Sequence, residues 1–290
     1  MTLIHRVKHG QRIRLTDYDP ADCANLHRAD VAADFEKMLD ERLPELQERL
    51  YSAARNSVLI VLQGIDTAGK DGVIRHVMSR LNPAGVRVDS FKAPTVHELA
   101  HDFLWRAHSV APGTGWIEIF NRSHYEDVLV TRVENLVPKE VWKTRFDRIN
   151  DFEKLLTDNG TIILKFLLYI SKDEQRDRLL AREQDTAKAW KLSRTDWVTF
   201  EKYDQYIEAY EEMLEKCSTE TAPWYIVPSN HKWFRNLAVA QTISDELEAY
   251  EKAWHDKLKE RGERILKEIE AQRHGETPAR PRRDRVLDDA

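Results

Sequence analysis

Gly64 and Gly69 bracket Ile65-Asp66-Thr67-Ala68, and Lys70 follows at once, so the chain carries the spacing Gly-x-x-x-x-Gly-Lys. Glycines at those places let the backbone curl until its N–H groups converge, the helix that follows turns its positive end to the same spot, and the lysine adds a mobile full charge. Phosphate oxygens are what such a loop binds. The hydroxyl residue that ordinarily follows the lysine as a magnesium ligand is missing: Asp71 stands there, and a further carboxylate, Asp66, lies inside the loop. Metal handling is therefore expected to differ from that of the standard loop.

Three other groupings could do chemistry. In Asn121-Arg122-Ser123-His124-Tyr125-Glu126-Asp127, behind the apolar run Trp116–Phe120, Arg122 could grip phosphates and a carboxylate could hold magnesium, provided that run forms a strand beside the loop strand. The competing structural reading is a helix start, with Ser123 as cap and Glu126 closing a capping box. Arg178 and Arg182 are one helical turn apart and precede Lys188, Trp190, Lys191 and Arg194, a basic stretch suited to closing over phosphates. His97-Glu98-Leu99-Ala100-His101 fits the zinc pattern His-Glu-x-x-His, but Thr95 three residues before Glu98 explains that glutamate as half of a capping box. An extended zinc motif would also need Gly and His where Leu104 and Ala107 stand, and Glu118, another conceivable ligand, falls within a strand.

The elements that must position these groups alternate. A helical pattern through Phe35, Met38, Leu39, Leu43, Leu46 and Leu50 leads into the apolar run Val58–Leu62, and β-type runs follow at Val86–Phe91, Trp116–Phe120, Thr161–Ile170 and Trp224–Val227. Between them helices are predicted at Thr95–Ser109, Pro138–Asp158, Lys172–Gln184, Asp196–Lys216 and from about His231 onward. Such alternation predicts an α/β protein with a parallel sheet covered by helices on both faces. Residues 1–30 read as a polar N-terminal extension, 31–250 as the catalytic domain with a lid at about 178–197, and 251–290 as a charged helix followed by a flexible tail from Gly275.

Composition narrows the classes. The chain has 290 residues, 33% charged and 41% hydrophobic, and 45 basic against 50 acidic residues leave a net charge of −5, too mild to make nucleic acid an expected partner. Cys23 and Cys217 form no paired framework, and the longest apolar segments fall well short of the ~20 residues of a membrane span. The N-terminal residues Arg6, Lys8 and Arg12 are followed by no apolar leader core, so the expectation is a soluble, cytoplasmic protein.

Together the motifs G-I-D-T-A-G-K-D-G-V-I, N-P-A-G-V, F-L-W-R, F-N-R-S-H-Y-E-D-V-L, I-L-K-F-x-L-x-I-S-K-D-E-Q-x-x-R-L and A-P-W-Y-I-V-P, spread from Tyr51 to Tyr250, resemble the polyphosphate kinase 2 family. The resemblance implies a P-loop kinase fold like that of thymidylate kinases, a three-layer α/β/α sandwich with a helical lid. It also implies reversible phosphoryl transfer between inorganic polyphosphate and a nucleotide, with magnesium or, as the alternative, manganese. Position by position, Asp66 and Lys70 match the family's loop acid and lysine, Arg122 its Walker B arginine, and Arg178 and Arg182 its lid arginines, with Lys188 and Lys191 in the lid loop. Phosphate and nucleotide contacts are then expected from Gly64, Thr67, Ala68, Gly69, Asp71, Asn121, Ser123 and Glu126, and metal contacts from Asp66 with Glu126 or Asp127. Many members have Asp where this chain has Asn121; the N-R-S-H-Y-E-D version resembles the subgroup that accepts both nucleoside mono- and diphosphates. Pairing of thymidylate-kinase-like enzymes through helices implies a homo-oligomer, for which the stripe ending at Ile269 could serve. An ATP-dependent nucleoside monophosphate kinase, a non-catalytic nucleotide switch and a zinc peptidase stand as alternatives.

Overall fold

The apolar runs come together in one sheet in the computed structural model, which describes residues 3–185 and 194–274. Strands β1 (His5–Arg6), β2 (Ser57–Gln63), β3 (Val86–Ser90), β4 (Ile117–Asn121), β5 (Thr161–Tyr169) and β6 (Trp224–Pro228) lie in the order β1-β6-β5-β2-β4-β3. From β2 to β6 all pairing is parallel, with β2 between β5 and β4 and buried along its whole length. Burial on both faces is why Val58–Leu62 reads as an unbroken apolar run and not as an alternation.

The helices are α1 (Arg28–Lys37), α2 (Leu43–Ala53), α3 (Lys70–His76), α4 (Val96–Leu99), α5 (Trp105–Ser109), α6 (Val130–Val133), α7 (Lys139–Asp158), α8 (Lys172–Gln184), α9 (Arg194–Glu201), α10 (Tyr203–Cys217) and α11 (Lys232–Arg273). Strand β5 shows how they are layered. Lys165 faces Glu153 of α7 and the Cys217 carbonyl of α10, while its neighbour Phe166 stacks on Tyr225, whose hydroxyl donates to Glu246 of α11. Successive strand residues point to opposite faces, so α7 and α10 cover one side and α11, with α2 and α3 against it, covers the other. The result is the expected α/β/α sandwich.

Several expectations are corrected. Residues 1–30 are no mere extension: His5–Arg6 pairs antiparallel with β6, and Ile4, Val7, Ile13 and Leu15 are buried, so the sheet is mixed. Those residues lack a periodic pattern of their own, and it is the open edge of β6 that orders them. The helix expected over Thr95–Ser109 breaks into α4 and α5, because Asp102 accepts the Leu104 amide with its side chain and so starts a new turn. The helix expected over Asp196–Lys216 divides at Lys202. Finally, α11 runs unbroken through the boundary expected near residue 251, and beyond it Trp254 is fully buried, its indole donating to Asn56 Oδ1 at 2.9 Å. Ile265, Leu266 and Ile269 are exposed on its last turns. Among the described residues no helix is long and apolar enough to cross a membrane.

Candidate active site

At the carboxyl end of β2 the backbone turns sharply. Gly64 sits at φ +151°, where a Cβ would stand 2.6 Å from the Leu168 carbonyl oxygen of β5, and Gly69, at φ +109°, starts α3. Both positions exclude a side chain, by contact and by backbone conformation. Thr67 adopts φ +68°, a left-handed conformation unusual for a β-branched residue, and its buried hydroxyl has no hydrogen-bond partner among the described residues. Lys70 is buried and curls back on the loop, its ammonium donating to the carbonyls of Gly64 at 2.7 Å and Ile65 at 3.2 Å. Burial, and then the Arg122 charge, pull its pKa down to about 8 against the opposing pull of Asp66, Glu126 and Asp71.

Strand β4 is the immediate neighbour of β2, so its carboxyl end brings Arg122 beside the loop. Arg122 is itself left-handed, at φ +61°, and its guanidinium bonds Asp66 Oδ1 through one nitrogen and stands 3.4 Å from Glu126 Oε2 through another. Burial opposes that positive charge, but Glu126 and Asp66 outweigh it, so the arginine's pKa is raised. Asp66, Arg122, Glu126, Gly64 and Arg182 line a cleft of about 500 Å³ together with Leu129, Val130, Glu134, Tyr206 and Tyr210. Charged groups thus meet aromatic and aliphatic ones in a single cleft, a lining with partners for both phosphates and a nucleoside. A larger groove of about 600 Å³, between Arg132 and the start of α7, contains none of the loop residues.

Not every candidate reaches this cleft. Asn121 Nδ2 donates to Asp71 Oδ1 at 2.8 Å, tying the strand end to the first turn of α3. Ser123 is fully buried; its hydroxyl accepts from Gln63 Nε2 and from the Tyr125 amide, both at 3.1 Å, so it caps the short turn His124–Asp127 from below. Glu126, however, reaches for Arg122 and not back to the cap. Asp127 points away, to Arg145 at 3.0 Å and Arg106 at 3.5 Å. Burial raises its pKa despite those two cations. Arg178 and Arg182 occupy one helix but serve different places. Arg182 lines the cleft, whereas Arg178 donates to the carbonyls of Thr67 at 2.8 Å, Ala68 at 3.3 Å, Ser229 at 2.7 Å and Asn230 at 2.9 Å, with Glu174 as its ion pair. Lys188 and Lys191 lie outside the described residues.

The sequence profile of the family described as Polyphosphate kinase 2 (PPK2) matches residues 26–255. This chain belongs to that family. Among its relatives, the AMP/ADP-polyphosphate phosphotransferase of Meiothermus ruber is 48% identical over 245 residues, 84% of this chain and 92% of that protein. The ADP-polyphosphate phosphotransferase of Rhodopseudomonas palustris is 43% identical over 78% of this chain and 82% of its own length. The crystal structure of Polyphosphate Kinase 2 from Arthrobacter aurescens superposes with a TM-score of 0.80 at 40% identity, covering 86% of this chain and 92% of that one.

In this polyphosphate kinase 2 family member the His-Glu-x-x-His segment has a local structural role. Thr95 accepts the Glu98 amide and Glu98 accepts the Thr95 amide, a complete capping box, and His101 stacks on Trp105 with ring centroids 4.2 Å apart. Glu118 is buried in β4, its pKa pushed up to about 8 by burial and then by Asp89. Sequence reasoning overlooked Tyr206 and Tyr210, which recur at helical spacing on α10, and Arg235, an arginine in the buried stretch Phe234–Ala240 of α11. The visible signal for Arg235 was a charge inside an apolar run, the same signal that marks Lys165 in β5.

Proposed function

We propose that the chain moves a phosphoryl group reversibly between inorganic polyphosphate and nucleoside mono- and diphosphates, taking AMP to ADP and ADP to ATP. The observation that carries the site assignment is the meeting of Asp66, Arg122 and Glu126 in one cleft, with the buried Lys70 ammonium close enough to feel all three charges. Nucleotide phosphate oxygens are already anionic at neutral pH, so attack on the terminal phosphorus of polyphosphate needs no strong base. Catalysis then reduces to positioning and charge neutralisation. Lys70 and Arg122 screen the transferring group, Arg182 faces the phosphate chain, and Tyr206, Tyr210, Leu129 and Val130 hold the nucleoside.

Asp66 and Glu126 flank one guanidinium with hard oxygen donors, a pair that fits magnesium, which is commonly held by one or two carboxylates and completed by substrate phosphates. When bound, the ion would neutralise charge between the two phosphate chains. Asp127, with both carboxylate oxygens facing arginines, is the poorer donor of the two alternatives. The amide at position 121 supports acceptance of both nucleotide classes: a carboxylate there would face Asp71 across 2.8 Å, whereas Asn121 bonds it and leaves the strand end less negative for an incoming monophosphate.

Incubating the protein with AMP, polyphosphate and magnesium, without ATP, tests the proposal: ADP and then ATP are expected. No product with polyphosphate, but transfer from ATP to AMP, would overturn it in favour of an ordinary monophosphate kinase. Lys70→Ala and Asp66→Asn should each abolish transfer while circular dichroism stays unchanged, and full activity in either variant would remove that residue from the site.

A further inference from the structure

Arg235 of α11 is only 3% exposed, yet it has no carboxylate partner among the described residues. Its guanidinium donates to Asn236 Oδ1 at 2.8 and 3.1 Å and to the Ala68 carbonyl at 3.3 Å. Burial, and then the neighbouring Arg178 cation, pull its pKa down to about 10. A buried charge is costly unless something compensates it, and here the nearby charge is of the same sign.

The loop is shaped around this side chain. A Cβ on Gly69 would stand 1.7 Å from Arg235 Nη1, and one on Gly72 would stand 2.7 Å from Nη2. Gly69 needs its glycine for backbone reasons as well, but Gly72 lies inside α3 without a left-handed φ, in a place where alanine is the better helix former. Room for the guanidinium is what the structure offers as the reason for a glycine there. The Ala68 carbonyl is held by both Arg235 and Arg178. Because the peptide is trans, the N–H of Gly69 on the same unit points the opposite way, away from the arginines.

We infer that Arg235 is a positioning residue for the phosphate chain: it fixes the Ala68–Gly69 peptide with its N–H turned to the anion and lays an unneutralised positive charge beneath the loop. The counter-charge it lacks is the bound polyphosphate or nucleotide phosphate. This inference rests on the assignment of the 64–70 loop as the phosphate site, so the experiment carries a control for that assignment.

Binding of tripolyphosphate is measured by titration calorimetry at several salt concentrations for the wild type, Lys70→Ala, Arg235→Met, Gly72→Ala and the double variant Gly72→Ala/Arg235→Met. Arg235→Met is expected to leave the ligand-free melting temperature unchanged or higher, to weaken tripolyphosphate at least about tenfold, and to flatten the dependence of log Kd on log salt. Gly72→Ala should weaken binding in the wild type, because its methyl displaces the guanidinium, and should add nothing in the Arg235→Met background. A lowered ligand-free melting temperature with unchanged Kd would overturn the inference and make Arg235 a packing residue. Gly72→Ala leaves the arginine in place and so remains decisive if Arg235→Met does not fold: unchanged affinity in it would also overturn the inference. If Lys70→Ala binds as tightly as the wild type, the loop assignment itself fails; if Lys70→Ala loses binding and Arg235→Met does not, only the role of Arg235 fails.

Discussion

Among the described residues, the buried cation of β5 and those around the loop are completed in opposite ways. Lys165, in the middle of β5, is fully buried and bonds Glu153 at 2.5 Å, the Tyr125 hydroxyl at 2.9 Å and the Cys217 carbonyl at 2.7 Å. Burial alone would raise the Glu153 pKa, but Lys165 and His124 together outweigh it and lower it. Tyr125 in turn donates to Glu153 at 2.7 Å, so the cluster is closed on itself and braces the turn that carries Arg122 and Glu126. Around the loop, by contrast, Lys70 and Arg235 donate to carbonyls and an amide oxygen, and of the two arginines behind it only Arg178 has a carboxylate among the described residues, Glu174. The difference teaches where to look for a ligand: an internal charge that the fold balances is architecture, and one that it leaves unbalanced is a demand for an anion from outside.

The sharpest way to break the comparison is at the balanced cluster. Lys165→Met strands Glu153, which is 1% exposed, and is expected to cost about 3–5 kcal/mol in urea denaturation, far more than any change to the loop cations. A loss below about 1 kcal/mol would show that the pair is not the brace described here.

A smaller effect is expected from pH at Lys70. Its folded pKa of about 8 lies below the ordinary 10.5, so the folded, ligand-free protein carries fewer protons than the unfolded chain between those values. Stability from this group therefore rises with pH from about 8 to 10.5, while phosphate binding, which needs the charged form, weakens. The kcat/KM for polyphosphate should fall by about tenfold per unit above pH 8, and Lys70→Arg, which stays charged, should remove that limb. A profile flat to pH 10 would contradict an unbalanced Lys70.

The smallest effect sharpens the contrast at its edge. Glu174→Gln removes the carboxylate paired with Arg178, and since Glu174 is partly exposed the gain in tripolyphosphate affinity is expected to be about threefold at low salt and to vanish at high salt. Weaker binding in Glu174→Gln would mean that the pair serves to aim Arg178 and not to hold back its charge.

The loop and the layering were legible in the sequence because both are local. A glycine pair at fixed spacing before a lysine, and apolar runs alternating with helical periods, report φ/ψ demands and burial that neighbouring residues impose on one another. The short edge strand His5–Arg6 was not, since its order comes from β6, more than two hundred residues away in sequence. Arg178 shows the same limit inside the site: its helical spacing from Arg182 was visible, but the carbonyls of Thr67 and Ser229 that draw it under the loop belong to other segments.

What the sequence determined by itself was the Gly-x-x-x-x-Gly-Lys loop, the α/β architecture with its parallel strands β2 to β6, and the presence of charges within apolar runs. Which of those charges would find a counter-ion was decided only in three dimensions. Lys165 meets Glu153 across 12 residues, while Arg235 meets a carbonyl 167 residues away and, among the described residues, no carboxylate. Desolvation and Coulomb attraction depend on distance and burial in the folded chain, and neither quantity is written in the order of residues.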